Sequence, residues 1–144
     1  SNHIMLRNLN CRMNQLSSIN VSGCTALVDI QIEGNLLSRL DFSGNNALER
    51  LVCSNNQLTS LDISKNRALS KVILRNNKNL KQVCVWTQPF PPAEMTISTT
   101  GSPDVYFTTE CSIGQWNCVH LFSFIWFNYR EIVLHPPIPL PIQG

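Results

Sequence analysis

The sequence has little charge and no strong excess of either sign. Only 14% of its 144 residues are charged, against roughly 25% in an average globular protein. Eleven Lys and Arg face nine Asp and Glu, which gives a formal net charge of +2 and a pI near 8.3. A charge-driven nucleic-acid binder needs a pI above about 9 with clustered basic residues, so this class is excluded. The 43% of hydrophobic residues excludes disorder caused by low hydrophobicity.

Sequence motifs of enzymes are also absent. The chain has no phosphate-binding loop, no Gly-x-Ser-x-Gly elbow and no metal-binding helix. Cys118 and His120 share one face of an extended segment, but no orienting carboxylate accompanies this thiol and imidazole. We therefore predict that the chain is not an enzyme and carries no cofactor.

What the sequence does contain is a repeat of 21 residues. The step relates the columns Leu6/Leu27/Leu48/Leu69, Leu9/Ile30/Leu51/Val72, Cys11/Ile32/Cys53/Leu74 and Asn14/Asn35/Asn56/Asn77. Alternating apolar residues predict a short strand with one buried face. The Asn that follows is expected to bond the backbone groups that a tight turn leaves unpaired, forming a structural Asn column. The second half of each unit also alternates and lacks helical spacing, so stacked coils without helices are predicted.

One stretch of the repeat carries a family resemblance. The string Leu48-x-x-Leu51-x-Cys53-x-x-Asn56-x-Leu58 matches the leucine-rich-repeat signature. The unit also resembles bacterial surface repeats of the internalin J-like kind, and the resemblance covers residues 1–85. It implies a mainly β leucine-rich-repeat solenoid of short parallel strands with a β-type cap. It further implies an extracellular or cell-surface binding protein without catalysis.

The two ends of the array are irregular. Ser1-Asn2-His3 is in phase with Ser22-Gly23-Cys24, so we expect about three and a half repeats cut from a longer protein, or a tag that matches the phase. Asn77-x-x-Leu80-x-x-Val83 repeats the spacing of Asn66-x-x-Leu69-x-x-Val72 after eleven residues, which predicts that half a repeat is missing. Residues 86–111 are predicted to be the cap, with one strand near 95–98, a Gly-Ser-Pro turn and a final strand.

Residues 112–144 differ in composition from the rest of the chain. They hold six of the eleven aromatic residues and two charges, and they end in a proline-rich run. The apolar segment 119–127 is much shorter than the roughly 20 residues that a membrane-spanning helix needs. Three interpretations stay open: a hairpin packed on the cap, a contact surface for a partner or a membrane, and a poorly ordered tail foreign to the family.

The six cysteines fall into two groups. Cys11 and Cys53 share a column but are two coils apart, about 10 Å at the spacing of stacked strands, which is beyond disulfide reach. They are predicted to be small buried hydrophobic residues. Cys84–Cys111 is the candidate disulfide that would hold the cap, with Cys111–Cys118 as the alternative. No Cys-x-x-Cys pair is present and the histidines His3, His120 and His135 lie outside the repeats, so no metal site is predicted.

The residues beside the inward strand positions are predicted to form a concave binding face. On the later coils this face combines cations with apolar residues, and Trp86 would extend it if Val83 and Val85 continue the inward column. The candidate ligand-binding residues are Arg50, Val52, Lys71, Ile73, Arg75 and Trp86. We predict a protein partner. The alternatives are a structural spacer within a larger surface protein and, for the face itself, an ordinary solvated sheet.

Overall fold

The computed structural model describes residues 5–111, which form a β-solenoid of five coils. The strands are β1 (Asn8–Asn10), β2 (Asp29–Gln31), β3 (Arg50–Val52), β4 (Ser60–Asp62), β5 (Lys71–Ile73), β6 (Gln82–Cys84), β7 (Thr96–Ser98) and β8 (Tyr106–Thr108). A five-stranded parallel sheet has the order β1-β2-β3-β5-β7, and a three-stranded parallel sheet has the order β4-β6-β8. The described residues contain no helix, so none of them forms a helix that would cross a membrane.

Several predictions concern residues outside this range. They involve Ser1-Asn2-His3, Cys118, His120, His135, the segment 119–127 and the whole of 112–144. They stay predictions.

The 21-residue step becomes the register of the five-stranded sheet. Ile30 pairs with Leu51, and Leu51 pairs with Val72, each 21 residues further along. These three side chains point inward and are completely buried. Each coil alone has too little apolar surface to bury, so the stack supplies the continuous core. The predicted fold class, a leucine-rich-repeat solenoid of short parallel strands without helices, is confirmed.

The predicted loss of half a repeat after Asn77 is wrong. Leu80 N–H donates to Asn77 O in the same turn that joins Leu69 to Asn66, which explains the similar spacing. The strand that follows nevertheless belongs to the three-stranded sheet, where Val83 pairs with Leu61. The turn is therefore shared by both halves of the unit, and the position of a strand along the coil decides which sheet it joins.

The predicted Asn column forms one hydrogen-bonded ladder. Asn56 Nδ2 donates to Ile32 O of the preceding coil at 3.0 Å and to Cys53 O of its own coil at 3.2 Å. Its Oδ1 accepts the N–H of Leu37 at 3.1 Å, so the side chain joins two coils. Asn35 makes the equivalent bonds one coil earlier. In the fifth coil Ser102 takes this place, because its Oγ accepts the N–H of Asn77 and donates to Leu74 O.

A second ladder of buried asparagines lies at the other turn. Asn45 Nδ2 donates to Val21 O and Cys24 O, and Asn66 Nδ2 donates to Phe42 O and Asn45 O. Both asparagines are completely buried. This ladder was not predicted, although Asn45 and Asn66 stand 21 residues apart in the sequence.

Left-handed backbone forms a further column, directly before the first Asn ladder. The residues are Met13, Gly34, Asn55, Asn76 and Gly101, with φ between 52° and 78°. Asn and Gly tolerate this conformation more readily than other residues. At Gly101 a Cβ would also overlap the side chain of Asn76, so glycine is required there for space as well.

The predicted strands of residues 86–111 are present as β7 and β8. β7 pairs with β5 and β8 pairs with β6, so this segment adds a strand to each sheet. Phe90 packs against Trp86 with ring centroids 5.5 Å apart and against Phe107 at 4.9 Å. These rings pack on the core cluster. The boundary between solenoid and cap at residue 85 stays a prediction.

Candidate functional site

The candidate site is the outward face of the five-stranded sheet, called the sheet face below. Its three columns are Asn8/Asp29/Arg50/Lys71/Thr96, Asn10/Gln31/Val52/Ile73/Ser98 and Arg12/Glu33/Ser54/Arg75/Thr100. They flank the buried inward positions because successive side chains of a strand point to opposite sides.

On the early coils the charged side chains of the sheet face neutralise one another. Arg12 forms an ion pair with Glu33, and Arg50 Nη1 lies 3.4 Å from Asp29 Oδ2. Gln31 connects the two pairs, since its Oε1 accepts from Arg12 Nη1 and its Nε2 donates to both carboxylate oxygens of Asp29. This part of the face therefore satisfies its own charges.

On the later coils the cations have no acidic partner. Lys71 and Arg75 are exposed, and neither forms an ion pair with any residue from 5 to 111. Arg75 Nε donates to Ser98 Oγ at 2.8 Å, which holds the guanidinium over β7. Ile73 lies between the two cations and is half-buried. The positive and apolar character predicted for this region is present at these three residues.

Two of the predicted site residues do not contribute to an exposed surface there. Val52 lies between Gln31 and Ile73 in its column and is only 6% exposed, so it belongs to the core side of the contact. Trp86 follows β6 of the three-stranded sheet and packs edge-on against Phe90. The expectation that Trp86 extends the sheet face fails because Val83 joins the other sheet. Arg50 is on the face but is already paired with Asp29.

The fold that presents this face has a counterpart among solved structures. The chain is similar to the functional domain of InlJ from Listeria monocytogenes, which includes a cysteine ladder. The TM-score is 0.52 at 20% sequence identity, and the match covers 69% of this chain. It covers 26% of the other chain, so the present chain corresponds to about a quarter of that structure's length. At this identity the likeness shows the fold: a β-solenoid repeat protein.

Comparisons of sequence add no family. No protein-family model matches the chain, and no curated protein matches it in sequence.

Cys84 and Cys111 form a disulfide, one of the two pairings that the sequence left open. Asp62, the register partner of Cys84, places a carboxylate oxygen within 4.8 Å of both sulfurs. Among the described residues this is the one group of three that offers metal-ligand atoms. Because the two sulfurs are bonded to each other, neither is a thiolate that would bind a metal in this state.

The remaining described cysteines, Cys11, Cys24 and Cys53, carry free thiols, as predicted. Cys11 and Cys53 occupy the inward column that Ile32 and Leu74 fill in the other coils. Cys53 is completely buried, and desolvation raises the pKa of its thiol to about 12. Cys11 is partly exposed because it lies in the first described coil.

We expect Cys53 to resist alkylation while the protein is folded. The thiolate is the reactive form, and a thiol with a pKa of about 12 stays protonated near neutral pH. Mass spectrometry after iodoacetamide treatment at pH 8 should show Cys11 modified much faster than Cys53, with both modified in urea. Because the folded-state pKa is raised, the thiol contributes stability that is complete below the unfolded pKa and is lost as pH rises towards about 12. Equal alkylation rates in the folded protein would contradict the burial.

Proposed function

We propose that this chain is a non-catalytic module of an internalin J-like leucine-rich-repeat protein at the cell surface or outside the cell. It binds a protein partner through the sheet face. One observation carries the proposal: Lys71, Ile73 and Arg75 form a contiguous strip of unpaired cations around an apolar residue. Protein-binding surfaces combine apolar contacts with arginine in this way.

The rest of the sheet face supports the same location. Paired side chains such as Arg12 and Glu33 are already satisfied, so a partner would gain little by replacing their contacts. The strip around Ile73 has donors without acceptors, and a partner would supply them. The sheet backbone holds the strip rigid, because Leu74 N–H donates to Ser98 O and Cys53 N–H donates to Ile73 O.

The proposal predicts position-specific cross-linking. A photo-reactive amino acid at position 73 should form adducts with a protein in host or bacterial surface extracts. The same group at Lys81, which is exposed just before β6, should not. The double variant Lys71→Ala/Arg75→Ala should lower the adduct yield about tenfold, equivalent to about 1.4 kcal/mol of binding free energy.

A matched control removes two cations elsewhere. Lys65→Ala/Arg67→Ala affects exposed residues of the turn after β4 and should leave the yield unchanged. Adducts of equal yield at positions 73 and 81 would count against the sheet face as the site. Adducts at neither position would favour the structural spacer.

A further inference from the structure

We infer that the partner segment bound by the sheet face is an extended acidic peptide, with carboxylates two residues on either side of an apolar residue. This inference rests on the proposed function and names the chemistry of its partner. It comes from the order of three side chains along one strand and from the charges that surround them.

The first step concerns the spacing of the strip. Lys71, Ile73 and Arg75 occupy alternate positions, so they point to the same side of the sheet. At about 3.3 Å per residue the two cations are about 13 Å apart along the strand, with the apolar side chain midway. An extended peptide has the same period. One residue of the ligand over Ile73 therefore places the residues two positions away over Lys71 and Arg75.

The second step concerns the sign of the charge. The sheet face holds four cations and two acids, and both acids are already paired with Arg12 and Arg50. The neighbours of the strip on β7 are Thr96, Ser98 and Thr100, which carry hydroxyls and no charge. The positive charge at Lys71 and Arg75 is thus not compensated on this side. A partner with negative charge complements it, and a partner with positive charge is repelled.

The third step concerns the geometry of Arg75. Its Nε donates to Ser98 Oγ, which fixes the plane of the guanidinium at a modest cost in side-chain freedom. The remaining N–H groups have no acceptor among residues 5–111. A carboxylate accepts two parallel N–H groups from such a fork, whereas Lys71 offers a single ammonium that adapts to its partner.

The apolar centre separates a peptide from other polyanions. Ile73 and the buried Val52 beside it give the middle of the strip an apolar character that a phosphate backbone does not use. Two cations also fall short of the clustered positive charge typical of nucleic-acid binding. An acidic segment with a central leucine or isoleucine meets both the charges and the apolar side chain.

The test uses fluorescently labelled synthetic peptides and fluorescence anisotropy with the full chain. One peptide has the pattern acid-x-Leu-x-acid, a second has the same residues in scrambled order, and a third has lysine in place of both acids. We expect the first to bind at least tenfold more tightly than the others. Its affinity should fall several-fold when ionic strength rises from about 0.05 to about 0.5 M, because exposed charges are screened.

Charge reversal gives the decisive comparison. Lys71→Glu/Arg75→Glu should lose the acidic peptide by at least tenfold and gain affinity for the lysine peptide. The control Lys65→Glu/Arg67→Glu makes the same change in net charge on exposed residues outside the sheet face and should bind as the unmodified chain does. Equal loss in both variants, or equal binding of the ordered and scrambled peptides, would overturn the inference.

The outcomes also separate this inference from the proposed function. If position 73 cross-links a surface protein but the acidic peptide does not bind, the sheet face is a binding site and the acidic recognition is wrong. If a sulfated oligosaccharide binds in place of the peptide with the same loss on charge reversal, the partner is a glycan and the peptide assignment is wrong. If neither cross-linking nor any of these probes gives a signal, both proposals fall.

Discussion

Replacing Asn56 by alanine should destabilise the solenoid by about 3 kcal/mol, because several buried groups lose their partners together. The amide accepts the N–H of Leu37 and donates to Ile32 O and Cys53 O. Asn56 is 8% exposed, so water does not readily replace these bonds. Leaving one buried donor or acceptor unpaired costs about 1–3 kcal/mol, and part of the loss is relieved when the turn relaxes. Equilibrium urea unfolding followed by circular dichroism measures the change.

The chain offers a matched control for this substitution. Asn14 occupies the same column but is exposed, and its Nδ2 donates only to Cys11 O and Arg12 O within its own coil. Asn14→Ala should therefore cost less than about 1 kcal/mol. If the two variants lose the same stability, the effect comes from the turn itself and the ladder between coils is not what stabilises the array.

The period and the inward residues of this fold were accessible from the sequence. Columns such as Ile30, Leu51 and Val72 repeat with one step, and a strand with one buried face is the structure that accommodates them. The Asn column was accessible for the same reason, since a turn with unpaired backbone groups recurs at each coil. The second ladder at Asn45 and Asn66 carried the same signal and was missed because Cys24 interrupts it.

The error after Asn77 has a physical cause. Asn77-x-x-Leu80 and Asn66-x-x-Leu69 form the same local turn, so spacing alone does not tell which sheet the next strand joins. That choice depends on the strand beneath, which for Val83 is β4. The misplacement of Trp86 follows directly from this error, because its side of the coil is set by the strand before it.

The candidate site was predicted in outline but not in its charge distribution. Positions 21 residues apart within a column carry opposite charges at Arg12 and Glu33 and at Asp29 and Arg50, and this was visible in the sequence. It shows that only the later cations remain unpaired. The burial of Val52 was not accessible, because it depends on how neighbouring side chains lie across the middle of the sheet.

Removing the disulfide should destabilise the last coil by about 3.5 kcal/mol. The bond joins Cys84 at the end of β6 to Cys111 beyond β8 and closes a segment of 27 residues. In the chain-entropy model a loop of this length gives that value, chiefly by restricting the unfolded chain. The double variant Cys84→Ala/Cys111→Ala avoids placing a hydroxyl at the buried position 84 and should match the reduced unmodified chain.

The loss should be local, because β7 and β8 lie within the closed segment while β1, β2 and β3 lie outside it. Hydrogen exchange measured by mass spectrometry should show faster exchange at Tyr106–Thr108 and little change at Arg50–Val52. Reductant should have no further effect on the double alanine variant, since Cys11, Cys24 and Cys53 carry free thiols. Faster exchange of equal size in both strands would mean that the bond stabilises the whole array. A further response of the alanine variant to reductant would mean that a second disulfide forms. The expected result is a fifth coil that depends on the cross-link, stacked on coils that the Asn ladders hold without it.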